Sequence, residues 1–287
     1  MKTNHRRGFL RSITGVIGSG LACSAWSTGA TESDEAEYLV TDYGARPDRD
    51  QLQTGAIQAA IDAAGRRGGG TVRIPRGRFL TGALKLRDNI RLVLDDDAVL
   101  QGSSNWRDYG QGRWLDGLIT AQDVRNVQIA GRGRIDGADC HNPKGEEGFR
   151  GPHTMVLTNC RGIAIEGISP ARSGNYAILC RECAEAEIRG VSVRGGHDSL
   201  HAQACTKFTV RDCDFRSGDD CLAGCDNLDF EVTGCKINSS CNGFRLGCVN
   251  LLVKDCTFWG PTESMVTISS GACGRRASRP CVCGSST

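Results

Sequence analysis

The chain has 287 residues, and 35 basic and 33 acidic side chains leave a net charge of only +2. This balance gives no electrostatic reason to expect binding to nucleic acid or to an acidic membrane surface. With 38 glycines, 7 prolines and 24% charged residues, the composition is that of a turn-rich globular protein rather than a disordered chain. Its 16 cysteines are far more than a cytosolic protein normally carries.

Residues 1–30 predict an export signal. The basic pair Arg6 and Arg7 precedes a weakly apolar stretch at 13–26 that is too short and too mild to span a membrane. Because this arrangement resembles the twin-arginine type, we expect export to the periplasm or the exterior. Residues 31–37 are polar and are predicted to form a linker.

One helix is predicted after the linker. Thr54 is its expected N-cap, Ile57 and Ile61 recur at helical spacing on one face, and Gly65 is among the stop signals that follow. Beyond this helix the helical period disappears. Short β-branched runs separated by Gly, Asp and Asn take its place, as expected for strands.

The rest of the chain shows an internal repeat of about 22 residues. Residues 208–215, 230–237 and 251–258 match position by position, and two earlier segments fit the same template. Each copy has a strand pattern and turn residues but no segment of helical length. The sequence therefore predicts an all-β fold, a single-stranded parallel β-helix (solenoid) over 38–270, with the N-terminal helix capping its open end.

The repeat also places most of the cysteines. Cys213, Cys235 and Cys256 occupy a column that holds aliphatic residues in earlier copies, which favours thiols packed in the interior. Zinc binding, for example by Cys180 and Cys183, and disulfides formed after export are the alternatives.

A polar column follows the last apolar position of each copy by five residues. It consists of Asn175, Asp198, Asp220, Asn242 and Glu263. Equivalent positions stack about 4.8 Å apart in such a fold, so Asp198, Asp220 and the adjoining Asp219 should lie on two neighbouring coils. Three positions after the column stand His201 and Arg245, with a small residue on the coil between them.

Stacked asparagines are common structural ladders, and Asn175 and Asn242 alone would suit that interpretation. Three adjacent carboxylates are different, because like charges repel unless a function or a proton compensates. We therefore predict that Asp198, Asp219 and Asp220 are catalytic. Both aspartates of the adjacent pair can reach one cleft only if the backbone bends, which Gly218 would permit. Grouped carboxylates suit cleavage of a glycosidic bond.

Residues 37–270 resemble glycoside hydrolase family 28, the polygalacturonases and related pectin-lyase-like enzymes. The similarity includes the entry region and Ser-Gly-Asp-Asp-Cys at 217–221, preceded by Asp198. It implies a right-handed β-helix in which Asp219 is the general acid and Asp198 and Asp220 hold and deprotonate water. It also implies inversion, for which acid and base carboxyls typically lie about 6.5 to 9.5 Å apart.

The sequence departs from the family pattern at several positions. Cys-Asn-Gly at 241–243 replaces the family's Gly-His-Gly, and the family's Arg-Ile-Lys motif has no good match. Residues 271–287 break the repeat and read as a frameshifted or artificial end of a truncated solenoid. The candidate substrate-binding residues are Arg245, His201, Asn242 and Asn175.

We thus expect an exported, monomeric hydrolase of a uronic-acid-containing polysaccharide such as pectin, with no metal or other cofactor. A polysaccharide lyase on the same fold is one alternative, and it would need calcium and a basic residue. A non-catalytic or decayed carbohydrate-binding β-helix is the other.

Overall fold

We describe residues 36–260 of the protein from a computed structural model. The predicted export signal, most of the predicted linker, Glu263 and the atypical end at 271–287 lie outside the described residues. No helix within 36–260 combines the length and the apolar character needed to cross a bilayer.

The chain forms a right-handed parallel β-helix, which confirms the predicted fold class. Within residues 36–260 the strands form one sheet of 14 and one of 8. The larger sheet contains β1 (Glu37–Leu39), β2 (Gly70–Ile74), β4 (Leu84–Lys85), β5 (Ile90–Leu94), β7 (Gly117–Gln122), β8 (Arg125–Gly131), β10 (His153–Thr158), β11 (Arg161–Glu166), β13 (Ile178–Arg181), β14 (Ala184–Arg189), β16 (Leu200–Gln203), β17 (Thr206–Arg211), β19 (Leu222–Thr233) and β21 (Phe244–Lys254). The smaller sheet contains β3 (Gly77–Thr81), β6 (Ala98–Gly102), β9 (Arg134–Asp136), β12 (Ser169–Ala171), β15 (Ser192–Arg194), β18 (Asp214–Ser217), β20 (Lys236–Ser239) and β22 (Thr257–Phe258).

The larger sheet covers two faces of the solenoid because its strand β19 runs around a corner. β19 pairs with β16 through its first residues and with β17 through its later ones. Gly224 lies at this corner with φ of +122°, and a Cβ atom there would approach the carbonyl oxygen of Ala202 to 1.8 Å. Only glycine fits so close to the neighbouring coil.

Helix α1 (Thr54–Arg66) covers the N-terminal end of the solenoid. Its apolar face, Ile57, Ala60, Ile61 and Ala64, is fully buried. The expected N-cap role of Thr54 is wrong, because Gln53 is the N-cap and Thr54 is the first helical residue. The Thr54 hydroxyl instead accepts a hydrogen bond from the backbone N–H of Gly82 at 2.7 Å, which ties the helix to the first coil. Three short 3-10 segments complete the described elements: Val40–Tyr43, Trp106–Asp108 and Glu146–Gly148.

The strand register confirms the 22-residue period. Ala186, Phe208 and Phe230 are successive Cα partners at intervals of 22 residues. The rings of Phe208 and Phe230 stack with centroids 4.9 Å apart and are buried in the interior. Equivalent apolar side chains therefore pack on one another from coil to coil, and this continuous stack is the core.

The columnar cysteines lie where the repeat predicts. Cys213 and Cys235 are 1% exposed and align with the buried Ile168 and Val191, while Cys256 at the end of the described coils is partly buried. Each thiol donates to a backbone carbonyl two residues earlier at 3.2 to 3.4 Å. A thiol thus fills an aliphatic position and also pairs a carbonyl at the turn, where a methyl group cannot.

Candidate active site

The candidate carboxylates lie at the turn between the smaller sheet and the larger one. β18 ends at Ser217 and β19 begins at Leu222, so Gly218, Asp219 and Asp220 belong to neither strand. The turn lets both aspartates reach the same side of the solenoid, as the sequence predicts. A Cβ atom on Gly218 would lie 3.0 Å from the carbonyl oxygen of Gly196, so the adjacent coils approach closely here.

The polar column has a different register from the predicted one. Successive coils pair Ile178, Leu200, Leu222 and Phe244 at one equivalent position. The residues two positions before these are Tyr176, Asp198, Asp220 and Asn242. The column that contains the two aspartates therefore begins with Tyr176. Asn175 instead aligns with His197, whose backbone N–H donates to the Asn175 carbonyl at 3.0 Å. Placing Asn175 in the column of Asp198 and Asp220 is therefore wrong.

The shift arises from a turn of different length. Ala171 pairs with Arg194, and Ile178 pairs with Leu200. Ile178 follows Ala171 by seven positions, whereas Leu200 follows Arg194 by six. The earlier coil thus contains one extra turn residue, which moves Asn175 into the column next to the predicted one.

Asp198 and Asp220 are the two buried carboxylates of the site, and Asp198 comes first in the chain. It is 3% exposed, and its Oδ2 is hydrogen-bonded to Nδ1 of His201 at 2.8 Å. The His201 ring stacks on Tyr176 with centroids 4.6 Å apart and planes 3° from parallel. This stacking fixes the imidazole so that it holds the Asp198 carboxyl in place.

Asp220 receives hydrogen bonds from the next coil. Its Oδ1 accepts from the backbone N–H of Asn242 at 3.2 Å and from Nδ2 of Asn242 at 2.8 Å. Nη1 of Arg245 lies 3.7 Å from Oδ2. The backbone N–H of Asp220 donates to Oδ1 of Asp198 at 3.3 Å, which ties the Asp198 carboxylate to the next coil.

Asp219 is the most accessible of the three, since its side chain is 30% exposed. Nη2 of Arg150 donates to Oδ2 of Asp219 at 3.1 Å and to Glu147 at 3.0 Å. Nη1 of the same guanidinium donates to Oδ1 of Asn175 at 3.5 Å. Arg150 is thus a site residue that the repeat did not reveal, because it belongs to a loop rather than to a repeated position.

Burial controls protonation in the site. It raises the pKa of Asp198 to about 6, with the nearby Asp219 and Asp220 acting in the same direction and the His201 hydrogen bond opposing them. Burial also lowers the pKa of His197, and the charge of Arg150 adds to this effect. A carboxyl with a pKa close to neutrality is suited to exchange protons during catalysis.

Two site carboxylates and a thiol are near enough to share a metal ion. One oxygen of Asp219, one of Asp220 and the sulfur of Cys241 lie within 4.8 Å of one another. Burial and the two carboxylates raise the pKa of the Cys241 thiol to about 11, so the ligand form of this thiol is scarce at neutral pH without a metal.

Comparison with known proteins places this chain in a family. A family model described as rhamnogalacturonase A/epimerase, pectate lyase-like matches residues 39–266. The chain belongs to this family. It is 36% identical over 115 residues to an exo-poly-alpha-D-galacturonosidase of Dickeya chrysanthemi, covering 34% of this chain and 19% of that protein. It is 45% identical over 65 residues to alginate lyase 7 of Azotobacter vinelandii, covering 20% of this chain and 8% of that protein.

Solved structures of the same kind share the fold. A hyperthermoactive exopolygalacturonase from Thermotoga maritima superposes with a TM-score of 0.71 at 21% identity, covering 79% of this chain and 67% of that one. A family 28 exopolygalacturonase of Yersinia enterocolitica superposes with a TM-score of 0.62 at 21% identity, covering 84% of this chain and 57% of that one. The resemblance to the polygalacturonases is therefore confirmed for family and fold. This member of the rhamnogalacturonase A/epimerase family spans less than a fifth of the length of the two curated relatives.

Proposed function

We propose that the protein is a glycoside hydrolase that cleaves a pectic or other uronic-acid-containing polysaccharide. The observation that carries this proposal is the convergence of Asp198, Asp219 and Asp220 on two neighbouring coils, each with a different polar partner. Polygalacturonase-like relatives support the same substrate class. Export of the chain remains a prediction.

In this proposal Asp219 is the general acid. It is the carboxyl most open to a substrate, and Arg150 donates to only one of its oxygens, which leaves the other to carry the proton. Asp198 and Asp220 hold and deprotonate the attacking water. The pKa of about 6 suits Asp198 to this task, because a base works best when its pKa lies near the operating pH.

The polar neighbours have positioning and binding roles in the proposal. His201 holds Asp198, and Asn242 holds Asp220 rather than meeting the substrate, since its side-chain amide is committed to that carboxylate. Arg245 is the nearest predicted cation for a substrate carboxylate and is 43% exposed. Inversion follows from the family resemblance.

The test is incubation of the purified protein with polygalacturonate, alginate and related polymers while new reducing ends are counted. We expect release that resists a chelator and is lost in Asp219→Asn but kept in Asp226→Asn, a matched change of an exposed carboxylate. Proton NMR of the first-formed product distinguishes inversion from retention. Release that persists in Asp219→Asn would contradict the assignment of the acid.

A polysaccharide lyase is the second candidate, because Asp219, Asp220 and Cys241 form a group able to hold a metal and one relative is an alginate lyase. Elimination would leave unsaturated sugar ends and would stop with chelator. A protein that is folded and binds these sugars without releasing any ends would instead be a non-catalytic carbohydrate-binding β-helix.

A further inference from the structure

A cavity lies beside the candidate carboxylates. It encloses about 210 Å³ and is named here the Trp106 cleft. Its principal lining residues are Trp106, Trp114, Asn142, Lys144, Arg150 and Asn175. Sites for drug-sized ligands measure about 300 to 1,000 Å³, so this cleft suits a single sugar ring rather than a long segment of polymer.

The walls of the cleft combine aromatic surface with open space. Trp106 is partly buried and Trp114 is 41% exposed. A Cβ atom on Gly112 would lie 3.1 Å from the Trp106 ring, so glycine keeps a side chain out of this wall, and the Arg107 guanidinium lies over the same ring at 4.5 Å from its centroid. Aromatic faces in such a setting pack well against the C–H faces of a sugar.

Two buried amides supply hydrogen-bond donors without partners. Asn142 and Asn175 are 4% and 2% exposed. Their Oδ1 atoms accept from the backbone N–H of Lys144 at 3.0 Å and from Arg150 at 3.5 Å. Neither Nδ2 atom donates to any residue in 36–260. Both residues line the cleft, where these Nδ2 donors are open to a polar ligand.

The cleft is lined by three cationic side chains, those of Arg113, Lys144 and Arg150, against the carboxylates of Asp116 and Glu146, and this balance favours an anion. The Lys144 ammonium lies 5.9 Å from the Trp106 ring centroid, and no carboxylate of the described chain lies within salt-bridge distance of it. The Asp116 carboxylate already accepts from the backbone N–H of Arg113 at 2.8 Å. An uncommitted ammonium beside an aromatic ring is a suitable receptor for the carboxylate of an acidic sugar.

Arg150 joins this cleft to the candidate catalytic carboxylates. It lines the cleft, is 9% exposed, and donates to Asp219 through Nη2. Its Nε atom is buried with no partner among the described residues. A sugar in the cleft would therefore sit one side chain away from the candidate acid.

We propose that the Trp106 cleft is a subsite for one uronate unit of the polysaccharide and that Lys144 selects its carboxylate. This inference rests on the proposed function for the identity of the polymer. It assigns substrate recognition to a non-repeating loop, separately from Arg245 on the coils.

Binding is measured first, because it does not depend on turnover. Tryptophan fluorescence of the full chain is titrated with trigalacturonate, with trimannuronate and with the methyl ester of each. Lys144→Gln is compared with Lys236→Gln, which changes an exposed lysine on the smaller sheet. We expect Lys144→Gln to weaken binding of at least one free acid about five- to tenfold, to leave its ester within about twofold, and to raise KM at unchanged kcat. Lys144→Arg should restore most of the affinity.

Equal affinity of Lys144→Gln and wild type for both acids would overturn the proposal, as would an equal loss for acid and ester. Circular dichroism and the urea midpoint verify that the variant is folded. Lys144-dependent binding without new reducing ends would refute hydrolysis and leave the subsite standing. Reducing ends with no dependence on Lys144 would refute the subsite and leave hydrolysis standing.

Discussion

Replacing Asp198 with Asn should stabilise the protein at neutral pH. The Asp198 carboxyl is 3% exposed, and burial raises its pKa from the ordinary 3.8 to about 6. Each pKa unit corresponds to about 1.36 kcal/mol. Ionising this group therefore costs about 3 kcal/mol more in the folded protein than in the unfolded chain. Asparagine has nearly the same shape and no charge, so it avoids this cost.

The direction of the pH dependence follows from the raised pKa. Because the folded protein binds this proton more tightly than the unfolded chain, Asp198 contributes stability that is fully present below a pH of about 3.8. That contribution is lost as the pH rises through about 6. Asp198→Asn should therefore gain stability relative to wild type as the pH rises. The difference between their free energies of unfolding should grow by about 3 kcal/mol between about pH 3.5 and pH 7.5.

Urea titrations followed by tryptophan fluorescence measure this difference at a series of pH values. Other titrating groups are shared by both proteins and cancel when one free energy is subtracted from the other. Asp226→Asn, at an exposed position with a φ of +59° that asparagine also adopts, is the matched control. A difference between Asp198→Asn and wild type that stays constant with pH would refute the argument from burial.

Three further predictions concern the site and the core. The kcat/KM for polymer cleavage should rise with pH, with a midpoint at about 6. His201→Phe should move this midpoint upward, because it removes the hydrogen bond that lowers the pKa of Asp198. A midpoint that does not move would contradict the role of His201. Asn242→Ala should lower kcat/KM about tenfold by removing the 2.8 Å hydrogen bond to Asp220, and unaltered kinetics would contradict this. Phe230→Ala should lower the free energy of unfolding by about 3 to 5 kcal/mol in urea titrations, and Phe230→Leu by clearly less; equal losses would contradict the stacked-core argument.

The sequence was sufficient to predict the fold because each coil repeats the same physical task. Apolar side chains at intervals of 22 residues, such as Phe208 and Phe230, must stack to be buried, and one-residue slips would expose them. Once the coils stack, residues at equivalent positions become neighbours. Asp198 and Asp220 could therefore be placed together, and the structure joins them through a hydrogen bond.

The same reasoning failed at Asn175 because the apolar pattern fixes strands and not turns. The turn before Ile178 has one residue more than the corresponding turn before Leu200. Counting forward from the strand that precedes the turn therefore puts Asn175 in the column of Asp198. Counting back from the strand that follows the turn would have put Tyr176 in that column. A register derived from both flanking strands would have revealed the extra residue.

Arg150 shows why the repeat cannot predict the whole site. It lies 69 residues before Asp219, in a loop held by its own hydrogen bonds, such as that from the Arg150 N–H to the Glu146 carbonyl at 3.0 Å. No period relates it to the carboxylates. The coils thus place the reacting groups by stacking, whereas the loops that carry Trp106, Lys144 and Arg150 vary without disturbing that stack. A solenoid of this kind can change the sugar that it recognises while its carboxylates stay in place.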